Sequence, residues 1–246
     1  MIKSFFLKII TIVISVVDYS NKRKVVNFFQ KYLKKKELKI IDIGAHKGET
    51  IDLFLDNFSI NKIYAFEPNL ELFNHLKNSS KYNQKEINFY NFGVGEKSEI
   101  KNLNIMLDSS SSTLNSLDTN TNYYRRKLKF FSLLGETKTF LEKKQQITVI
   151  NLSDVIFKKE NHIDILKIDT EGYEYNVLKG LNSDDFKKIN FIYFEHHYDL
   201  MIKKGYNFRD IHYLLLKNHF TQKYKIKMKF RKSFEYIYES EKKNFS

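Results

Sequence analysis

The chain has 246 residues, of which 42% are hydrophobic and 15% aromatic, and this composition allows a full hydrophobic core and excludes an intrinsically disordered protein. It contains no cysteine, which excludes disulfide bonds, Cys-ligated metal sites and thiol catalysis. The net charge of +13 would ordinarily indicate nucleic acid or an anionic membrane, but only five of the 42 basic residues are arginine, so nucleic acid is not the expected partner.

Residues 1–36 are expected to form an N-terminal helical segment ahead of a domain covering residues 37–246. The uninterrupted apolar stretch of this N-terminal segment is Ile9–Val17. It is too short to span a membrane, because a spanning helix needs roughly 20 residues. We expect a helix that packs its apolar side on the domain. An interfacial helix whose lysines contact anionic lipid is one alternative, and a signal peptide is another, although no small-residue cleavage site precedes Asp18.

From residue 38 onward, β-branched or aromatic runs alternate with stretches of helical period, which is typical of an α/β sheet with helices on both faces. The predicted strands are Leu38–Ile43, Lys62–Glu67, Ile87–Val94, Ile163–Asp169 and Asn190–His197. The predicted helices are Glu49–Asn57, Leu70–Asn78, Tyr173–Leu181 and Phe208–Asn218. Three of the strands contain continuous apolar runs, as central parallel strands do.

Two segments depart from this alternation. In Lys223–Arg231, lysines alternate with apolar residues, which predicts a half-solvated strand whose lysine face guards a sheet edge. The polar region around residues 96–146 is predicted to be a cap-like insertion on the substrate side, with a disordered surface loop as the alternative.

A glycine turn links the first predicted strand to the first predicted helix. Gly44 and Gly48 are spaced G-x-x-x-G, which is neither the dinucleotide fingerprint nor the lysine-bearing phosphate loop. Gly44 allows the chain to turn against a ligand, and Gly48 allows close approach at the helix start, where free N–H groups face a polar ligand group. A helix-entry turn without a ligand is the alternative.

Glu67 ends the second strand and Pro68 keeps it extended. A carboxylate at the carboxyl edge of a parallel sheet can accept both hydrogen bonds of a ribose diol. Capping of the next helix is the alternative for Glu67.

The sequence resembles the FkbM family of S-adenosylmethionine-dependent methyltransferases. The matching stretches, which cover residues 40–197, are IIDIGAHKGET, IYAFEPNLELFNHL, FYNFGVGEKSE, SSSSTLNSL, ITVINLSDVI, IDILKIDTEGYEYNVLKGL and FIYFEHH. The resemblance implies the class I methyltransferase (Rossmann-like) fold, a seven-stranded mostly parallel sheet of order 3-2-1-4-5-7-6 with the seventh strand antiparallel. It also implies S-adenosylmethionine as cofactor, with Asp42, Gly44 and Gly48 beside its methionine part and Glu67 on its ribose.

The physical chemistry of this cofactor agrees with the residues. A sulfonium carries positive charge and no pyrophosphate, so a glycine turn and the carboxylates of Asp42, Glu49 and Glu67 suit it. Phe92 or Val94 is expected to pack either on adenine or in the core. The predicted cofactor-binding residues are Asp42, Gly44, His46, Gly48, Glu49, Glu67, Pro68 and Gly93.

Polar residues at the ends of two later strands are the candidates for the acceptor side. Lys167 and Asp169 fall on one side of their strand, and Glu171 follows them. The acidic residues could instead only stabilise the dipole of the next helix. Glu195 is predicted, with Lys167 and Glu171, to bind substrate.

Glu195, His196 and His197 end the next strand, and alternation places Glu195 and His197 on one face and His196 on the other. Because transfer to a hydroxyl gains from a base, we predict His196 or His197 as that base, with Asp169 orienting it or the acceptor. No metal site is predicted. A divalent ion held by some of Asp169, Glu171, Glu195 and His197 is the alternative.

These observations predict O-methylation of a sugar hydroxyl on a surface glycan or secondary metabolite. The basic chain and its N-terminal segment suggest an anionic or membrane-tethered acceptor, and a cytoplasmic location that could include the inner face of the membrane. The competing hypotheses are a nicotinamide-dependent oxidoreductase and a non-catalytic RNA-binding protein on the same scaffold.

Overall fold

A computed structural model describes residues 20–33, 37–132, 139–228 and 232–241. The apolar stretch Ile9–Val17, on which the lipid-contact and signal-peptide hypotheses depend, lies outside the described residues. So do residues 229–231, the end of the predicted edge strand.

A seven-stranded sheet forms the centre of the domain. Its strands are β1 (Leu38–Ile43), β2 (Ile60–Phe66), β3 (Ile87–Tyr90), β7 (Ile163–Ile168), β8 (Ile189–His197), β9 (Phe220–Lys227) and β10 (Ser233–Ser240). They lie in the order β3-β2-β1-β7-β8-β10-β9, and β10 pairs antiparallel with both neighbours. Counted within this sheet alone, the order is 3-2-1-4-5-7-6, which confirms the predicted class I methyltransferase fold; the labels differ because the strands of a second sheet intervene in the chain.

Helices cover both faces of the sheet. They are α1 (residues 20–32), α2 (Glu49–Asn57), α3 (Leu70–Lys77), α4 (Asn122–Ser132), α5 (Leu152–Val155), α6 (Glu174–Lys179), α7 (Ser183–Lys187) and α8 (Phe208–Lys217). Apolar side chains of α1, α2 and α3 share one buried cluster with the sheet, and those of α6, α7 and α8 share another. This two-sided cover explains why β7 and β8 are buried along their whole lengths.

A second, three-stranded sheet departs from the prediction. The expected single strand Ile87–Val94 divides at Asn91 and Phe92, because β3 stays in the central sheet while β4 (Gly93–Val94) pairs with β6 (Leu141–Ile150). β5 (Glu99–Met106) pairs antiparallel with β6 to complete this sheet. The region around residues 96–146 therefore contains regular structure on both sides of an undescribed segment at residues 133–138.

The described part of the N-terminal segment packs on the domain. Val25, Phe29 and Leu33 are at most 3% exposed, and the Phe29 ring contacts that of Phe191 edge to face at 5.6 Å. This burial orients α1 across β8 and brings its first residues to the carboxyl ends of the strands. Among the described helices, none has the length and apolar character needed to cross a membrane.

Candidate active site

A cavity of about 260 Å³ lies where β1, β2, β7 and β8 end. Most of the predicted site residues line it, namely Gly44, His46, Glu49, Glu67, Pro68, Gly93, Lys167, Asp169, Glu171 and Glu195. Phe92 and Val94 contribute to the same lining. The topology therefore collects at one sheet edge residues that are far apart in the sequence.

The glycine turn is held by the protein's own packing. Gly44 has φ of 81°, and a Cβ built on it would lie 1.9 Å from the carbonyl oxygen of Asp169. Gly48, at the N-cap of α2, has φ of 92°, and its Cβ would lie 2.1 Å from the Tyr82 hydroxyl oxygen. Both positions require glycine. Gly48 packs against Tyr82 and Leu76 and is not among the residues that line the cavity.

Glu67 fastens this turn from the neighbouring strand. Its Oε2 accepts the His46 N–H and its Oε1 accepts the Asn69 N–H, both at 2.8 Å. Burial raises the pKa of Glu67 to about 7 in spite of these two donors. The α3 cap is Asn69, whose side chain accepts the N–H groups of Glu71 and Leu72, so Glu67 is left to serve the turn and the cavity.

A buried ion network lies beneath the turn. Lys167 Nζ is 3.4 Å from Asp42 Oδ1 and 3.3 Å from Asp169 Oδ2. Burial raises the pKa of Asp42, and the ammonium of Lys167 partly offsets this rise. Asp42 is fully buried and supports the cavity from below, whereas Asp169 lines it.

His197 is surrounded by three carboxylates. Its Nε2 is 3.2 Å from Glu171 Oε2 and 3.4 Å from Glu195 Oε1, and its Nδ1 is 3.6 Å from Asp199 Oδ2. Burial alone would lower the pKa of His197, but these carboxylates outweigh it and hold the pKa well above its usual range. The raised pKa favours the charged imidazolium, and His197 is not among the residues that line the cavity, so we look to its carboxylate neighbours for the base.

His196 occupies the opposite face of β8. Its ring packs against those of Tyr198, Tyr206 and Phe208 at centroid distances of 4.9 to 5.9 Å. Burial lowers the pKa of His196 to about 3. Because it lies away from the cavity, we do not retain His196 as a candidate base.

Residues of the expected insertion form part of the site wall. Ser109 Oγ lies 2.8 Å from His46 Nε2, which ties the insertion to the glycine turn. Thr113 Oγ1 donates to the Glu171 carbonyl at 2.7 Å. This bond helps to hold Glu171 at a φ of 49°, in the left-handed region, so that its carboxylate reaches both His197 and the cavity.

A divalent ion held by some of Asp169, Glu171, Glu195 and His197 was the alternative for this edge of the sheet. Across the ranges that the structure describes, no three carboxylate or imidazole groups converge as ligands of one ion. The carboxylates around His197 are instead arranged as its ion-pair partners.

Further residues line the cavity without having been predicted, among them Asn21, Tyr193, Met228 and Glu235. Strand alternation could have identified Tyr193, which shares a face with Glu195. Asn21 and Glu235 reach the cavity only through the packing of α1 and the insertion of β10 between β8 and β9, which no local pattern shows.

A comparison with protein families identifies the family of the chain. Residues 42–224, well over half of the sequence, match the methyltransferase FkbM domain. The chain belongs to this family. The match begins at Asp42, near the end of β1, and extends into β9, so it covers β2, β3, β7 and β8 completely and leaves out β10.

Comparisons with solved structures agree on the fold. The chain is similar to the methyltransferase FkbM of Methylobacillus flagellatus KT, with a TM-score of 0.53 and 15% identity over 82% of this chain. It spans only 44% of that crystallised chain. Magnesium protoporphyrin IX methyltransferase of Synechocystis PCC 6803, crystallised with S-adenosylhomocysteine (SAH), is similar at a TM-score of 0.50 and 9% identity, covering 92% of this chain and 84% of that one. No curated protein matched the sequence.

Proposed function

We propose that this FkbM-domain protein is an S-adenosylmethionine-dependent methyltransferase that methylates a sugar hydroxyl on a surface glycan or a secondary metabolite. Membership of the family supports methyl transfer, and the similar Synechocystis enzyme was crystallised with the product form of this cofactor. The observation that carries the proposal is the cavity itself, in which a glycine turn and the Glu67 carboxylate meet at the carboxyl edge of β1 and β2.

The lining of the cavity fits such a cofactor. Glu67 retains acceptor capacity on both oxygens for ribose hydroxyls, since a carboxylate has about four acceptor positions. Phe92 and Val94 offer an apolar wall for adenine. The carboxylate of Asp169 lines the cavity, where it would attract a positively charged sulfur, and Asp42 lies beneath it, paired with Lys167. When bound, S-adenosylmethionine supplies an electrophilic methyl group.

On the acceptor side, carboxylates are better placed than histidines to receive a proton. Glu171 and Glu195 line the cavity, and both lie within 3.4 Å of His197 Nε2. In this arrangement one of them takes the proton of the acceptor hydroxyl, and the imidazolium holds the pair in position. Asp169, beside Lys167, orients the acceptor.

The proposal can be tested with methyl-labelled S-adenosylmethionine. Incubating the protein with an extract of the source cell should transfer label to an oxygen of a glycan or small molecule, and calorimetry should show SAH binding. Label on nitrogen would refute the O-methylation, and absence of SAH binding would refute the cofactor assignment.

Replacing Glu67 by alanine is expected to weaken SAH binding by about tenfold to a hundredfold, because charge-assisted hydrogen bonds to the ribose are lost and the glycine turn loosens. Titration calorimetry measures the change. Glu71→Ala is the matched control, since Glu71 lies four residues away on α3 with its side chain 85% exposed. Equal affinity of the Glu67 variant and the wild type would contradict the role assigned to this carboxylate.

A further inference from the structure

One wall of the cavity is formed by side chains from three separate elements and from the residue that follows a fourth. Asn21 comes from α1, Tyr193 and Glu195 from β8, Glu235 from β10, and Met228 follows β9; we call this set the β8–β10 wall. Glu195 and Glu235 are direct partners in the antiparallel ladder. The Asn21 amide nitrogen lies 3.5 Å from Met228 Sδ, which joins α1 to the strands.

The β8–β10 wall offers hydrogen-bond acceptors that the described protein leaves unused. Tyr193 donates its hydroxyl to Glu235 Oε1 at 2.6 Å, but Glu235 Oε2 has no hydrogen-bond partner among the described residues. Asn21 is only 2% exposed, and within the described ranges its Oδ1 has none either. Because buried polar atoms are rarely left unsatisfied, a ligand that donates hydrogen bonds is expected here.

The charge of this wall is negative. Glu195 and Glu235 face each other across β8 and β10, and Glu195 has a cationic partner in His197, whose Nε2 lies 3.4 Å from its Oε1, so the charge to be balanced is that of Glu235. Lys167, whose Nζ contacts Asp42 and Asp169, lowers the pKa of Glu235, but by less than burial and Glu195 raise it, and Lys22 lies half-buried in the lining. Burial, reinforced by Glu195, raises the pKa of Glu235 to about 7. The protein therefore holds an undercompensated carboxylate that a bound cation would stabilise.

Building on the proposed function, we infer that the acceptor carries an amine and that its ammonium group binds Glu235 and Asn21. An ammonium supplies both the positive charge and the hydrogen-bond donors that the β8–β10 wall lacks. A phosphate or carboxylate at this position would meet the repulsion of Glu195 and Glu235. The structure thus points to an amino sugar or similar amine, whereas the net charge of the chain had suggested an anionic acceptor.

The inference can be tested with two sugars that differ only in this group. Glucosamine and N-acetylglucosamine are titrated near neutral pH into the full chain saturated with SAH, and binding is followed by ligand-observed NMR. Glucosamine is expected to bind about tenfold more tightly or better, as charged hydrogen bonds to a buried group allow.

Variants identify the residues that are responsible for the preference for glucosamine. Glu235→Gln retains an oxygen for Tyr193 and should reduce the preference for glucosamine to within about twofold, since the charge is gone. Asn21→Ala should weaken glucosamine binding from a different element. Glu239→Gln, on the same strand and paired with Lys223 at 3.4 Å, is the matched control and should leave the preference unchanged.

Equal binding of the two sugars, binding of neither, or a preference that survives Glu235→Gln would overturn the inference. The titrations are repeated without SAH, so the sugars decide the inference whether or not the cofactor binds. Loss of amine preference with intact SAH binding leaves the proposed function standing. Failure to bind SAH counts against the proposed function instead.

Discussion

Replacing Gly44 by alanine is expected to destabilise the protein by roughly 3 kcal/mol or more and to abolish SAH binding. The new Cβ would lie 1.9 Å from the Asp169 carbonyl oxygen, at a φ of 81° that disfavours any side chain. The backbone cannot yield easily, because the Gly44 N–H donates to the Phe66 carbonyl and the Asp169 N–H donates to the Ile43 carbonyl, both at 2.9 Å. Urea unfolding followed by circular dichroism measures the loss of stability.

Gly205→Ala is the control that distinguishes the steric clash expected in Gly44→Ala from the strain of a left-handed backbone. Gly205 has a comparable φ of 73°, but a Cβ there would have no neighbour within 4 Å. Its substitution should cost about 1 kcal/mol, the ordinary penalty for a left-handed alanine. Similar losses in the two variants would show that the approach of Gly44 to Asp169 is unimportant.

Replacing His197 by glutamine is expected to slow methyl transfer by about a hundredfold or more while SAH affinity stays within about twofold. His197 does not line the cavity, so it acts as a positioning residue for Glu171 and Glu195. Without the imidazolium these carboxylates repel each other and leave their positions. The loss should therefore appear in kcat and spare cofactor binding.

The pH profile distinguishes this role from simple structural support. Removing the cation raises the pKa of the neighbouring carboxylates, so the acidic limb of the kcat profile should move to higher pH in His197→Gln. His75→Gln, an exposed position on α3, is the control and should show the wild-type profile. An unchanged kcat with an unchanged acidic limb would remove His197 from the site.

The sequence predicted well those elements whose environment is uniform. β1 and α2 have the predicted bounds, and β7 differs by one residue. β1 and β7 lie between two helical layers, so a continuous apolar run is their natural signature. α6 begins at Glu174, one residue later than predicted, because Tyr173 is its N-cap.

Elements with one solvated face were harder to predict. In β5, Leu103, Ile105 and Met106 are buried and the other residues are half-buried or exposed, so its apolar signal is too short to identify. β10 carries Glu235 and Glu239 among its apolar residues. Their partners are distant in the sequence, since Glu235 Oε1 accepts from Tyr193 of β8 and Glu239 pairs with Lys223 of β9.

Some features of the candidate site could likewise be predicted from the sequence and others could not. The residues at the ends of β1, β2, β7 and β8 were predicted because parallel strands bring their carboxyl ends to one edge. The raised pKa of His197 was not, since it depends on Glu171 and Asp199 lying on either side of the same ring. Local sequence gives the order of strand ends but not the electrostatic environment between them.

The contact between Asn21 and Met228 joins residues 207 positions apart. During synthesis on the ribosome, α1 emerges long before β10, which must then enter between β8 and β9. The β8–β10 wall is consequently completed only when nearly all of the described chain has been translated, and a nascent polypeptide cannot bind the amine until then. Contacts between residues so far apart in the sequence are typical of topologies that fold slowly. The wall proposed to bind the acceptor is therefore among the last parts of the site to form.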